Sequence, residues 1–348
     1  MRTLQIGPGA RLRFRSMPAP PVPAPDGAVV RPVAMATCDI DRPIALGATQ
    51  FMLPLCMGHE CVAEVVAVGE RVRSVAVGDM VIVPFQISCG ECPACRAGRT
   101  ANCTTVPPLS MYGMGLLAGH WGGAFAERMA VPYADAMLVP LPPGSDPVAL
   151  ASLADNLCDA YRHIGPHLPS LIAEGRGEVL ILAAISRRFA FSASVPLYTG
   201  LIARALGAHE VRLVDARPHV RAHAESLGIE ALTPTELRGR RGAALVADIT
   251  AGHLPLALRV TAPDGICTSS GSLHSVARIP TLAMYARNVT LHFGRVHARS
   301  VMPEVLELIR DGRLDPGPVV TGVAPLYEAP RALADHFRGG GVKTVLTA

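Results

Sequence analysis

Cys89-Gly90-Glu91-Cys92-Pro93-Ala94-Cys95, followed by Cys103, gathers four of the chain's nine cysteines within fifteen positions. The spacing C-x2-C-x2-C-x7-C brings four soft thiolates within reach of one tetrahedral ion, the ligand set of a closed structural Zn²⁺ site. Two disulfides would use the same sulfurs but need an oxidising compartment. The opening Met1-Arg2-Thr3-Leu4-Gln5 lacks the apolar run of a secretion signal. Cys38, Cys56, Cys61, Cys158 and Cys267 are scattered, as in a reducing cytoplasm. The expectation is a structural zinc on Cys89, Cys92, Cys95 and Cys103, in a cytoplasmic protein.

Around this loop the chain runs to 348 residues, enough for two domains with a core each. Half the residues are hydrophobic, yet no uninterrupted run of about 18 apolar residues suggests a membrane span. The most apolar region, Val179 to Ala203, is broken by Arg187-Arg188. The formal charge of +4 is spread out, with no basic run suited to nucleic acid. Lys343 is the only lysine, which reads as coding bias and not as chemistry.

The first 150 residues read as short strands joined by turns. Ala63 to Val68 alternates and stops at Gly69, and Asp79 to Val83 stops at Pro84, a pattern suited to a β-barrel-like domain. Near Leu150 the texture changes to an Ala/Leu-rich helix, Ala149 to Tyr161. A strand-helix-strand rhythm follows: Glu178–Leu182, helix Leu197–Leu206, Glu210–Asp215, then strands at Ala244–Ile249, Gly265–Thr268 and Val289–Phe293. Such alternation predicts a parallel, doubly wound sheet. After Pro303 a helix, Glu304–Arg310, leads to a closing strand, Val342–Leu346, expected to return to the first domain.

With Cys38-Asp39-Ile40-Asp41, Gly58-His59-Glu60, Val77-Gly78-Asp79, the cysteine loop and Gly122-Gly123-Ala124-Phe125-Ala126-Glu127, the chain resembles the zinc-dependent medium-chain dehydrogenases, the alcohol dehydrogenase superfamily, over essentially its whole length. The resemblance implies an α/β protein with a GroES-like β-barrel catalytic domain, residues 1–150 completed by 296–348, and a Rossmann-like domain, residues 151–295. It implies a catalytic zinc on Cys38 and His59, with a third ligand from the start of the helix entering the second domain. Asp155 fits that register better than Cys158. A Cys/His/carboxylate set with one open position suits a Lewis-acid zinc. The resemblance places Glu60 behind the metal, and Asp41 as the carboxylate orienting the ligating histidine. Taken singly, Cys38 would be a small buried hydrophobe and Asp155 a helix N-cap.

Two departures bear on activity. Relatives commonly carry Ser or Thr two residues after the cysteine ligand to pass a proton, whereas Ile40 has none to pass; Asp39, His120 or a water are the substitutes. The second is the Gly-x-Gly-x-x-Gly turn that cradles a dinucleotide pyrophosphate at a helix N-terminus. Here no glycine occurs from Glu178 to Thr199, and Pro196 takes the place of the last one. Asp215, at a strand end where relatives hold the adenosine ribose, together with Arg187 and Arg188, could still support NAD or NADP.

Two functions stay open at this stage. One is hydride transfer between NAD(P) and a small alcohol or carbonyl compound; the other is a redox-neutral zinc lyase, isomerase or cyclase. A non-catalytic binding protein is the weaker third. An open mouth between Ala183 and Ser194 would favour cofactor use, and a loop across it with Phe189 or Phe191 filling the space would favour the redox-neutral enzyme. The pocket is expected near Ile40, Tyr112, Trp121 and the Leu273 to Met284 region. The expected partners are a small-molecule substrate and further copies of the chain, as a dimer or tetramer paired along Val289–Phe293.

Overall fold

The computed structural model describes residues 1–240, 242–250, 252–270, 276–339 and 341–348. Among them the strands are β1 (Arg2–Gly7), β2 (Arg11–Ser16), β3 (Ala28–Ala36), β4 (Leu55–Cys56), β5 (Glu60–Val68), β6 (Met80–Val83), β7 (Met129–Val131), β8 (Val139–Pro140), β9 (Glu178–Ala184), β10 (Glu210–Asp215), β11 (Glu230–Leu232), β12 (Ala243–Asp248), β13 (Thr261–Ser269), β14 (Thr290–Phe293), β15 (Gly322–Pro325) and β16 (Thr344–Thr347). They form three sheets.

A small sheet runs β2-β1-β4, and a larger mixed one runs β15-β16-β3-β5-β6-β8, with β7 also on β3. The third is six-stranded and parallel, in the order β11-β10-β9-β12-β13-β14. Counted within that sheet the order is 3-2-1-4-5-6, the doubly wound arrangement, with its reversal between β9 and β12. β9 sits centrally because it carries no charge after Glu178 and is buried from Val179 onward, as a strand covered on both faces must be. β14 is the outer strand and is largely exposed.

Two registers decide what meets at the centre. β3 pairs antiparallel with β5 so that Ala36 lies opposite Glu60. Cys38 follows the end of one strand and His59 precedes the other, so the pairing sets them side by side. β16 pairs with β3 through Val345 and Ala36, which carries the C-terminal Lys343 to the same point. Gly58 makes the approach possible. Its φ is +90°, and a Cβ there would lie 2.5 Å from the Phe125 ring and 2.7 Å from the Phe125 nitrogen.

The helix expected over Ala149–Tyr161 is broken in two. Pro147–Leu150 and a 3₁₀ turn, Ala151–Ala154, come first, then Asn156–Ile164, with Asp155 between them at φ −148°, ψ −77°. The break turns Asp155 out of the helical path. The helix expected after Pro303 starts earlier, at Ala298, and runs through that proline.

Candidate metal centres and the dinucleotide crevice

Cys38, His59, Glu60 and Asp155 are all buried, and each offers a ligand atom within 4.8 Å of the others. Asp155 precedes its helix but makes no capping bond to it. Instead its Oδ2 lies 3.3 Å from Cys38 Sγ and 3.2 Å from His59 Nε2. The imidazole contact has ion-pair distance without hydrogen-bond alignment, and among the described residues both ring nitrogens of His59 are buried with no hydrogen-bond partner. Cys158, the rival third ligand, turns its thiol to the Leu153 carbonyl at 3.0 Å.

Charge explains why this cluster suits a cation. Burial lifts the Cys38 thiol well above its usual range, and the carboxylates of Asp155, Glu60 and Asp41 lift it further. Burial pulls the His59 imidazole down, but the adjacent Asp155 carboxylate and the charges of Asp41 and Glu60 together raise it. A buried group of anionic donors around an imidazole without a hydrogen-bond partner fits a divalent ion, and a soft thiolate with a nitrogen and a carboxylate fits zinc.

Glu60 has a partner that the sequence reading passed over. Lys343 is fully buried; its ammonium donates to Glu60 Oε2 at 2.9 Å, to Asn156 Oδ1 at 2.6 Å and to the Thr37 carbonyl. Burial pushes the Glu60 carboxyl up, and the ammonium of Lys343 pulls it back toward the charged form. For the ammonium, burial lowers its pKa, but the charge of Glu60 and its neighbours prevails and keeps it protonated. The chain's only lysine is therefore the counter-charge of this buried cluster. Asn156 belongs to the same group, since its amide donates to Cys38 Sγ at 3.1 Å and Asp155 Oδ2 at 3.2 Å. The expected role of Asp41 is corrected. Its carboxylate accepts the Cys38 amide at 2.9 Å and makes no hydrogen bond to His59. It fixes the turn that carries Cys38.

The second cluster is Cys89, Cys92, Cys95 and Cys103, again with all four sulfurs within 4.8 Å. Amides of Glu91 and Cys92 point at Cys89 Sγ at 3.4 and 3.3 Å, and those of Cys95 and Thr104 at Cys92 Sγ, both at 3.5 Å. These donors favour thiolate, and they bring Cys92 down to about 5. No pair among the nine cysteines is disulfide-bonded.

The crevice at the carboxyl ends of β9 and β10 departs from a dinucleotide cradle. The helix Ser194–Ala205 begins there, but its first amides are taken. Asp39 receives Ser194 N on Oδ1 and Val195 N on Oδ2, both at 2.9 Å, along with the Ser194 hydroxyl. Pro196 has no N–H, and Leu197 N bonds back to the Ala193 carbonyl at 3.2 Å. Pro196 is thus the third helical residue, and no donor at this helix start is left for phosphate.

Asp215 is fully buried and holds Arg217 through both carboxylate oxygens, at 2.9 and 2.7 Å, so its carboxylate is engaged and not presented to a ribose. Arg187 and Arg188 are exposed; Arg187 lines a cavity of about 230 Å³ at this edge, and Arg188 is not among its lining residues. That cavity is strongly basic, with Arg42, Arg217 and Arg338 beside Arg187. The loop before the helix is strapped down. Arg42 donates to the Phe189 and Ala190 carbonyls and Arg217 to that of Phe191, while the rings of Phe189 and Phe191 stack 5.2 Å apart. As it stands, this edge does not fit a pyrophosphate: Asp39 holds two of the amides, Pro196 has none to give, and Leu197 N is bonded within the chain.

Of the expected pocket residues, Tyr112 is wholly buried with its hydroxyl on the Ala130 carbonyl at 2.8 Å, so it belongs to the core. Ile40 and Trp121 are half-buried, and residues 273–275 of the Leu273 to Met284 stretch lie outside the described residues.

Residues 24–143 match the alcohol dehydrogenase GroES-like domain. Along the whole chain there is 30% identity over 350 residues, 96% of this chain and 85% of the relative, to the Mycobacterium tuberculosis protein named "Probable zinc-binding alcohol dehydrogenase Rv1895". A glutathione-independent formaldehyde dehydrogenase of Pseudomonas aeruginosa is 32% identical over 235 residues, 65% of this chain and 56% of the relative. Among solved structures, the alcohol dehydrogenase TADH from Thermus sp. ATN1 superposes with a TM-score of 0.86 at 28% identity, covering 100% of this chain and 99% of its own. With the sheet order, the two ligand clusters and a full-length relative in agreement, the chain belongs to the zinc-binding alcohol dehydrogenases, a family of zinc-containing oxidoreductases.

Proposed function

We propose that this chain is a zinc-dependent oxidoreductase exchanging hydride between a small alcohol or carbonyl compound and NAD or NADP. The observation that carries the reading is the buried Cys38/His59/Glu60/Asp155 cluster, in which neither imidazole nitrogen of His59 has a hydrogen-bond partner among the described residues. Cys38, His59 and Asp155 would hold the catalytic zinc, and Cys89, Cys92, Cys95 and Cys103 the structural one. When bound, the first ion is a Lewis acid for a substrate oxygen and the dinucleotide is the hydride partner. Asn156 holds the Cys38 sulfur and the Asp155 carboxylate in place. Lys343 balances Glu60 so that the cluster does not carry its whole negative charge unrelieved. Asp41 fixes the backbone of Cys38.

The unit boundaries belong to the proposal: residues 1–150 with 296–348 form the catalytic unit, and 151–295 the nucleotide unit. So does a homo-oligomer, a dimer or tetramer, for which the exposed outer strand β14 supplies an edge. Among the described residues no helix is long and apolar enough to cross a membrane, and we place the protein in the cytoplasm, without nucleic-acid partners.

A second reading, a redox-neutral zinc lyase, isomerase or cyclase, is favoured by one observation: every amide at the start of the helix Ser194–Ala205 is accounted for within the chain. Titration of the zinc-loaded protein with NAD⁺, NADH, NADP⁺ and NADPH separates the two. Saturable binding together with reduction of small aldehydes, abolished in His59→Ala, supports the oxidoreductase. Absence of binding with all four, alongside His59-dependent turnover of a hydroxy compound without net redox change, supports the second.

A further inference from the structure

Asp39 follows a metal ligand in sequence and caps a helix 155 residues away. The helix N-terminus is the natural seat of an anion, because its free N–H groups and the aligned peptide dipoles favour negative charge. Here a carboxylate of the chain itself sits in that seat, with one oxygen on each of the first two amides. The side chain is only 6% exposed, so it is built into the interior and is not a surface residue resting on the helix.

We infer that Asp39 is an internal stand-in for phosphate, an autoinhibitory cap that sets how tightly the chain takes a nicotinamide dinucleotide; the inference rests on the oxidoreductase reading above. A pyrophosphate reaching the Ser194 and Val195 amides would meet the Asp39 carboxylate at contact distance, and like charges at that range repel strongly when buried. One anion must leave before the other arrives. The surrounding cations follow the same alternation. Arg42 now spends N–H groups on the carbonyls of Phe189, Ala190 and Phe337, and Arg217 on the Phe191 carbonyl and the Asp215 carboxylate. Those arginines line the basic cavity next to the helix start, together with Arg187 and Arg338. Two self-consistent arrangements follow: a closed one with Asp39 on the amides and arginines on the loop, and an open one with phosphate on the amides and arginines.

The test measures Kd for NADH and NADPH by nicotinamide fluorescence on the zinc-loaded full chain, unaltered and with Asp39→Ala or Asp39→Asn. Zinc content and circular dichroism are recorded for each. Asp39→Ala is expected to bind both dinucleotides at least tenfold more tightly. Asp39→Asn should fall between, because its amide oxygen still accepts one N–H but carries no charge; it also serves if the alanine variant does not fold. A cap with only a structural role predicts lower stability and unchanged or weaker binding, which overturns the inference. Equal, tight binding by all three chains overturns it too while leaving the oxidoreductase reading intact. Failure of all three to bind overturns both.

Discussion

Lys343→Met tests the charge balance at the metal centre. The ammonium has three partners, all buried: Glu60 Oε2 at 2.9 Å, Asn156 Oδ1 at 2.6 Å and the Thr37 carbonyl. Methionine fills a similar volume but leaves Glu60 without its counter-charge. Breaking a buried ion pair by removing one partner costs about 3–5 kcal/mol, and each neutral acceptor left bare adds about 1 kcal/mol. The apolar stem packs where the lysine methylenes did, which offsets part of the loss. The net expectation is about 4 kcal/mol. Adding Glu60→Gln removes the stranded charge, so the double variant should recover at least about 2 kcal/mol relative to the sum of the single changes. Urea unfolding of the zinc-loaded chain, followed by circular dichroism and by the fluorescence of its single tryptophan, Trp121, measures all four corners of the cycle. A cost below about 1 kcal/mol for Lys343→Met, or strict additivity in the double variant, would refute the pairing as the source of stability.

Fresh protein should contain two zinc ions per chain, and mild chelation should remove the Cys38/His59/Asp155 ion before the four-cysteine ion, because an open site exchanges faster than a closed one; plasma emission analysis giving one ion or none rejects the double assignment. His59→Ala should abolish turnover and lower zinc content by one ion with the circular dichroism unchanged, whereas Asp155→Asn should keep more metal, since an amide oxygen remains; full metal and rate in Asp155→Ala would move the third ligand to Glu60. His336 links stability to pH. Burial first, then the charges of Lys343 and Arg42, hold its imidazole down to about 4, while the unfolded chain protonates it near 6.5. The unfolded state therefore binds more protons in between, so stability is complete above about pH 6.5 and declines as the pH falls toward 4. His336→Gln should lessen the loss between pH 7 and 5 by about 2 kcal/mol, at 1.36 kcal/mol per unit; identical slopes in the two proteins would remove His336 from the account.

The local signals were legible in the sequence because they are local. The four cysteines lie within one loop, Gly58-His59-Glu60 is contiguous, and the missing glycines after β9 can be counted without knowing where the strand goes. The parallel sheet was also readable, since a strand buried on both faces needs an unbroken apolar run such as Val179 to Ala184. Which side chains face one another was decided by pairings between distant segments. The β16–β3 register delivers Lys343 to Glu60, a partner 283 residues away in sequence. A break at Asp155 directs its carboxylate to the cluster while Cys158 stays in its own helix. Asp215 appeared available because its sequence position says nothing of Arg217 folding back onto it. Asp39 appeared only as a substitute proton carrier, because nothing near it in sequence discloses a helix start that needs an anion. Strand periodicity and ligand spacing are properties of a few neighbouring residues. The state of a buried charge depends on whatever the finished fold packs against it, and only the tertiary structure supplies that.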